Sequence, residues 1–218
     1  WLTDNLQLVV FLLILVGIGV FTECNQWAYL YLQENNNLFI YDWDVIAQRL
    51  VVPGGGAYLI AGLLTQFFHL PYVGSVITTI CYGLMVWAGY RIVGKIYKSQ
   101  ALMGLVFLPV VFLLLSFENS YYRFQGHVAF LLALLALWGY VSLPNKRWLL
   151  KCCIGMVASV LLYWFIGSAA FVFVLGAWLM DLLRLSPKCY LGIFYIPAAI
   201  AMGICAYHAA LVADWEHA

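Results

Sequence analysis

Apolar residues run in long blocks along this chain, separated by short polar clusters, and seven of the blocks approach the length of a membrane crossing. They cover about Leu6 to Phe21, Val73 to Tyr90, Ala101 to Phe117, Val128 to Leu143, Cys152 to Phe165, Ser168 to Leu183, and Tyr190 to Val212. A hydrocarbon core about 30 Å thick takes about 20 predominantly apolar residues in helical form. Helices are favoured there because they satisfy their own backbone hydrogen bonds. The pattern predicts an all-α, polytopic transmembrane helical bundle of about seven spans. The fifth and sixth blocks are nearly continuous, yet together they exceed one crossing, so Gly167 and Ser168 are expected to turn the chain back on itself.

One connection, residues 22–72, is far longer than the rest, and connections of that length in compact architectures are usually functional or disordered. Disorder is not expected here, because "NQWAYLYL" and "NNLFIYDWDVIAQRLVV" are rich in aromatic and branched apolar side chains. After Pro53 to Gly56 comes "AYLIAGLLTQFFHL", in which Tyr58, Gly62, Thr65, Gln66 and His69 recur every three or four positions. That spacing puts small and polar groups on one helical face, with Leu59, Ile60, Leu63, Leu64, Phe67 and Phe68 on the rest. A helix over about 57–70 is too short to span and is expected to lie in the membrane interface.

The charges fall on alternate connections. Arg91, Lys95, Lys98, Lys146, Arg147, Lys151, Arg184 and Lys188 share one side, and Glu23, Glu34, Asp42, Asp44, Glu118, Asp214 and Glu216 share the other with Arg49 and Arg123. By the positive-inside rule the basic side is cytoplasmic. The N-terminus is then inside and the C-terminus outside a plasma (inner) membrane, with the lipid bilayer as the first partner. Composition agrees: 66% of the 218 residues are hydrophobic and 9% charged, and the mean hydropathy is +0.97, far from soluble-domain usage. The net charge of +1 gives no field that would recruit nucleic acid. The six cysteines show neither C-x-x-C nor zinc-type spacing, and most sit in apolar runs as small hydrophobes. The chain starts at Trp1 and ends on "ADWEHA" after an apolar run, so it is read as part of something longer.

The chemistry-bearing residues collect on the acidic side. Glu23 is expected where the first helix leaves the membrane, Asp42 and Asp44 in the long connection, and Glu118 before the fourth span. His69, His127, His208 and His217 are also assigned there. Carboxylate and imidazole suit either a divalent metal or general-base work, and Asp42, Asp44 and His127 are the expected metal ligands. The plain alternative is that lipid excludes polar groups and the positive-inside bias leaves acids on the far side. A D-x-D pair can grip one ion from a strand or an irregular loop. On a helix the two residues diverge by about 200°. Pro53 to Gly56 lacks the Gly-Lys-Ser/Thr ending of a phosphate loop and is expected to be a hinge. Trp27, Tyr29, Tyr31, Tyr41 and Trp43 suit either sugar stacking or an interfacial belt.

Two resemblances follow from these residues. "NNNLFIYDWDVIAQRLVVPGGGAYLIAGLLTQFFHLPYVGSVI" resembles an uncharacterised family of bacterial polytopic membrane proteins, in which a polar loop, a Pro-Gly-Gly turn and a Gln-Phe-Phe/Tyr helix precede the second span. That likeness implies a topology and no activity. The layout of outer acids, Glu23, Asp42 and Asp44 in the first connection and Glu118 in the second, resembles that of C-type membrane glycosyltransferases, which use lipid-linked sugars. It implies that one first-loop acid is a general base and another a metal ligand, with Arg49 or Arg123 facing the lipid phosphate. The competing readings are a scaffold that anchors an extracellular region or partner subunit, and a carrier of an apolar or lipid solute. A proton or sodium relay is disfavoured, because the first five blocks contain no Asp, Glu, Lys, Arg or His.

Overall fold

The computed structural model describes residues 2–36, 39–95, 104–116, 123–143, 148–183 and Gly203. Among them every regular element is helical. In chain order these are α1 (Leu2–Asn36), α2 (Trp43–Val51), α3 (Gly55–Thr65), α4 (Val73–Val93), α5 (Phe107–Ser116, entered through a 3₁₀ turn at Gly104–Val106), α6 (Gln125–Ser142), α7 (Trp148–Ile166) and α8 (Ala170–Leu183). Among the described residues four stretches are long and apolar enough to cross a membrane: Val9–Asn35, Val73–Val93, Gln125–Ser142 and Leu150–Asp181. The third expected span is represented by α5, ten residues long and so only about 15 Å of helix. The seventh, Tyr190 to Val212, lies outside the described residues apart from Gly203.

The stretch Leu150–Asp181 is a folded pair of helices. Lys151 Nζ, near the start of α7, lies 3.0 Å from Asp181 Oδ1, near the end of α8; a straight helix would hold residues 30 apart at about 45 Å. The reversal is made at Gly167, whose φ of 68° is a left-handed value that glycine adopts without strain. The hairpin expected at Gly167 and Ser168 is therefore present. Lys151 is 6% exposed, its ammonium sits 4.6 Å from the centre of the Tyr140 ring, and Tyr140 donates its hydroxyl to Asp181 Oδ2 at 2.7 Å. Sequence reading puts Lys151 in a loop; it is instead one turn inside α7, where its charge is paired.

Side-chain pairings fix the directions of the remaining helices. Leu15, Thr79 and Gly19, Gly83 interlock across α1 and α4: a Cβ on Gly19 would lie 3.1 Å from Thr79 Oγ1, and one on Gly83 3.2 Å from Leu15 Cδ1. These small residues let two antiparallel backbones approach closely. Tyr82 meets His127, Trp87 meets Trp138 and Lys95 meets Ser142, so α4 and α6 run parallel. One end of the bundle thus carries Arg91, Lys95 and Lys151, and the other carries Glu23, Glu34, Asp42, Asp44, Arg49 and Arg123. We call them the basic and acidic ends.

At the acidic end the long connection differs from its sequence reading. The first helix does not stop near Phe21 but continues to Asn36. The polar residues after Phe21 stay helical because Thr22, Gln26, Leu30 and Gln33 share one face and are all buried. Gln26 Nε2 donates to Leu114 O, an end carbonyl of α5, at 2.9 Å. Gln33 Oε1 accepts from Phe124 N, at the start of α6, at 3.1 Å. Both bonds satisfy backbone groups that helix ends otherwise leave unpaired.

The rest of the long connection holds two short helices. Surface helix α2 has no buried residue; its first residue, Trp43, is 79% exposed, and Tyr41 just before it is 74% exposed. By contrast, α3 buries Gly55, Gly56, Ala57, Ala61, Gly62 and Thr65. Its small face packs against α6 and the α7 tip, where a Cβ on Gly56 would collide with the Phe165 ring. Between α2 and α3, Gly54 has φ 87°. Its N–H donates to Trp164 O at 2.9 Å, its carbonyl accepts from Gln125 Nε2 at 3.2 Å, and a Cβ on Gly167 would lie 3.3 Å from its Cα. The expected hinge is thus a corner docked onto the glycine turn of the α7–α8 hairpin.

Candidate functional site

The expected site residues are distributed over the acidic end. Asp42 is the N-cap of α2: its Oδ1 accepts from Asp44 N at 3.1 Å. That is the ordinary use of an aspartate before a helix. Asp44 sits in the first turn of α2, and both acids are exposed. Glu23 lies on α1, where Ser75 Oγ donates to its Oε2. Arg49 is exposed at the end of α2 with its guanidinium 4.9 Å from the centre of the Tyr58 ring. Arg123 is exposed just before α6. Glu118 lies outside the described residues.

His127 does not join Asp42 and Asp44. It is 0% exposed, in the first turn of α6, with Nε2 2.7 Å from Tyr82 Oη and its ring stacked on Phe124. Helix α6 starts before the apolar block that marks it in sequence, and this draws the histidine into the core. Among the described residues no three His, Cys, Asp or Glu side chains converge on a point where an ion would sit. With one aspartate capping a helix and the histidine in the core, the donor set does not fit a shared metal.

A different pair does come together. His69, in the turn after α3, places Nδ1 3.0 Å from Glu34 Oε1 on α1 and 2.8 Å from Gln66 O. Both neighbours are acceptors, so the ring proton belongs on Nδ1. The lone pair is then on Nε2, and the ring is half exposed. Glu34 Oε2 is buried without a hydrogen-bond partner among the described residues. Gln66 extends the cluster: its Oε1 accepts from Tyr41 Oη at 2.9 Å and its Nε2 donates to Phe39 O at 3.0 Å. A carboxylate that fixes the tautomer of a histidine, leaving the other nitrogen open, is an arrangement able to accept a proton from a hydroxyl. The same contacts tie α1 to the turn after α3, which is their structural role. Residues 34 and 69 are 35 positions apart, and the only sequence signal for the pair is that both fall at the acidic end.

No curated protein and no solved structure matches the chain. The family model described as a family of unknown function, DUF6057, matches residues 4–218. Helical in every regular element and carrying four membrane-length apolar stretches among its described residues, and matched over nearly its whole length by that model, the chain belongs to the uncharacterised family DUF6057.

Proposed function

We propose that this membrane protein is an enzyme acting on a lipid-linked substrate at the acidic membrane face, with a layout resembling C-type membrane glycosyltransferases. The observation that carries the reading is the Glu34–His69 pair, held beside Tyr41 and the surface helix that presents Trp43 and Arg49. In this reading His69 Nε2 accepts the proton of an acceptor hydroxyl. The hydroxyl oxygen bonds to the anomeric carbon as the bond to the lipid phosphate breaks, and the phosphate leaves with the electron pair. Arg49 or Arg123 faces that phosphate. Asp44 and Glu23 are the further acids from which a second polar contact to the sugar would come, and Glu118 stands in the same role from the second connection. The acidic face is the outer one, by the positive-inside rule.

The test is transfer of a labelled hexose from a polyprenyl phosphate by the purified chain in vesicles. Wild type is expected to transfer, and E34Q and H69Q to fall by about 100-fold or more, the usual size of a general-base contribution. Transfer by H69Q at the wild-type rate would remove the base, and absence of transfer by wild type would remove the enzyme.

A second reading, a non-catalytic scaffold for an extracellular region or partner subunit, is favoured by a specific observation. Asp42 caps a helix, Glu23 holds Ser75 and His127 holds Tyr82, so several acidic-end groups already have structural partners. Under that reading all variants leave transfer unchanged at zero, and truncating α2 releases a co-purifying partner.

A further inference from the structure

At the basic end, α4 and α6 finish side by side, and the end of α4 holds two cations, Arg91 in its last turn and Lys95 just past it, neither of which is in an ion pair among the described residues. Arg91 and Lys95 are exposed. The Arg91 guanidinium lies 5.8 Å from the centre of the Trp87 ring. Trp87 meets Trp138 of α6 edge-on, with centroids 5.0 Å apart. Lys95 Nζ donates to Ser142 Oγ at 3.0 Å, so one helix contributes the charge and the other positions it. Asp181, a carboxylate at this end, is taken up by Lys151 and Tyr140.

The face that leads to these cations is apolar. Val76, Ile80, Leu84 and Trp87 follow one another at three- and four-residue spacing along α4 and are 54%, 56%, 41% and 39% exposed. Helical periodicity brings Arg91 to the end of the same stripe. An apolar track about one bilayer leaflet long, then an indole pair, then two cations, is the order of parts in a phospholipid: acyl chain, ester region, phosphate.

We propose that the basic ends of α4 and α6 form a binding site for an anionic phospholipid, with Arg91 and Lys95 holding the headgroup phosphate and Trp87 and Trp138 packing the glycerol ester region. Arg91 presents two parallel N–H groups to phosphate, and Lys95 supplies a point charge. The carbonyl ends of two helices disfavour an anion there, which is why a single cation would not suffice. A zwitterionic lipid places its own cation beside the phosphate and gains less from the pair. A free phosphate gains the charge without the apolar stripe. The site therefore selects an anionic lipid over both.

The test uses the full-length chain purified from vesicles of phosphatidylcholine with 10 mol% phosphatidylglycerol (about one lipid in ten, enough anionic lipid for the juxtamembrane attraction to act), with retained lipid read by native mass spectrometry. Wild type is expected to retain phosphatidylglycerol over phosphatidylcholine by about 30-fold, from two cations near the membrane surface. R91Q/K95Q is expected to retain the two lipids equally while keeping the wild-type melting temperature. W87L, which leaves both charges in place, is expected to lower retention of the two lipids by a similar factor, because both carry the ester region that the indole packs. Equal retention by wild type would overturn the proposal, as would unchanged selectivity in R91Q/K95Q. Displacement of phosphatidylglycerol by inorganic phosphate at millimolar concentration would identify a simple anion site and overturn the lipid assignment.

Discussion

Gln26 and Gln33 sit one heptad apart on the buried face of α1, yet removing each amide is expected to have a different effect. Gln33 provides an acceptor to Phe124 N at the start of α6, and the whole side chain is 2% exposed. Gln33→Met takes that acceptor away from a buried N–H, which costs about 1–3 kcal/mol. Gln26 donates Nε2 to Leu114 O, but its Oε1 is buried without a hydrogen-bond partner among the described residues. Gln26→Met leaves Leu114 O without its donor, at about 1–3 kcal/mol, and also removes an unsatisfied acceptor of similar cost, so its net effect is near zero. For a chain of this size about 1 kcal/mol moves the melting temperature by about 2–4 °C. Gln33→Met is therefore expected to lower it by about 6 °C for a mid-range cost of about 2 kcal/mol, and Gln26→Met by less than about 2 °C. The assay is thermal exposure of the buried thiols of Cys81 and Cys152 to a reactive fluorophore, with Cys24, Cys153, Cys189 and Cys205 replaced by serine. Equal losses in the two variants, or no loss in Gln33→Met, would refute the reasoning from satisfied and unsatisfied amides.

The hairpin clamp gives a second expectation: Lys151→Met strands Asp181 and lowers stability by about 3 kcal/mol, while Lys151→Met with Asp181→Leu recovers most of it, as measured in the same thiol assay. Gly167→Ala forces a left-handed residue with a side chain against Gly54 and is expected to cost about 1–2 kcal/mol or more, read as a lower melting temperature with no recovery in a Gly54→Ala background. Asp42→Ala should remove the N-cap of α2 at about 1 kcal/mol, whereas Asp42→Asn keeps it. Protease susceptibility after residue 43 separates the two.

Helix positions were legible in the sequence wherever burial in lipid and burial in protein ask for the same residues. The apolar blocks over α4, α6, α7 and α8 are of this kind, and the Gly167 turn was readable because two helices could not otherwise fit. The second half of α1 was not legible from hydropathy. Thr22, Gln26 and Gln33 look like the end of a span, and only their spacing with Leu30 betrays a buried face. Their partners, Leu114 O and Phe124 N, are backbone groups about 90 residues away, and no side-chain pattern announces them. Helix α3 was recognised as amphipathic, but its small face turned out to pack inward, because Gly55, Gly56, Ala57, Ala61 and Gly62 allow a close approach that bulky residues would block.

At the candidate site, sequence reasoning located the acidic end and its side chains without knowing which would meet. The D-x-D pair was readable as a motif and is used as a helix cap. Glu34 and His69 were readable only as two polar residues in one long connection, since their meeting depends on α1 continuing four turns past Phe21. Lys151 shows the reverse error: a cation counted as a loop residue is inside a helix, because Asp181 waits for it there.

The central claim is that the acidic end receives a lipid-linked substrate at the Glu34–His69 pair, and a structure of the full chain with a polyprenyl-phosphate hexose in nanodiscs tests it most directly. The account predicts hexose density with a hydroxyl about 2.6–3.2 Å from His69 Nε2 and the phosphate beside Arg49 or Arg123. Density for the donor confined to the basic end, or an acidic end that stays empty at saturating donor, would contradict it.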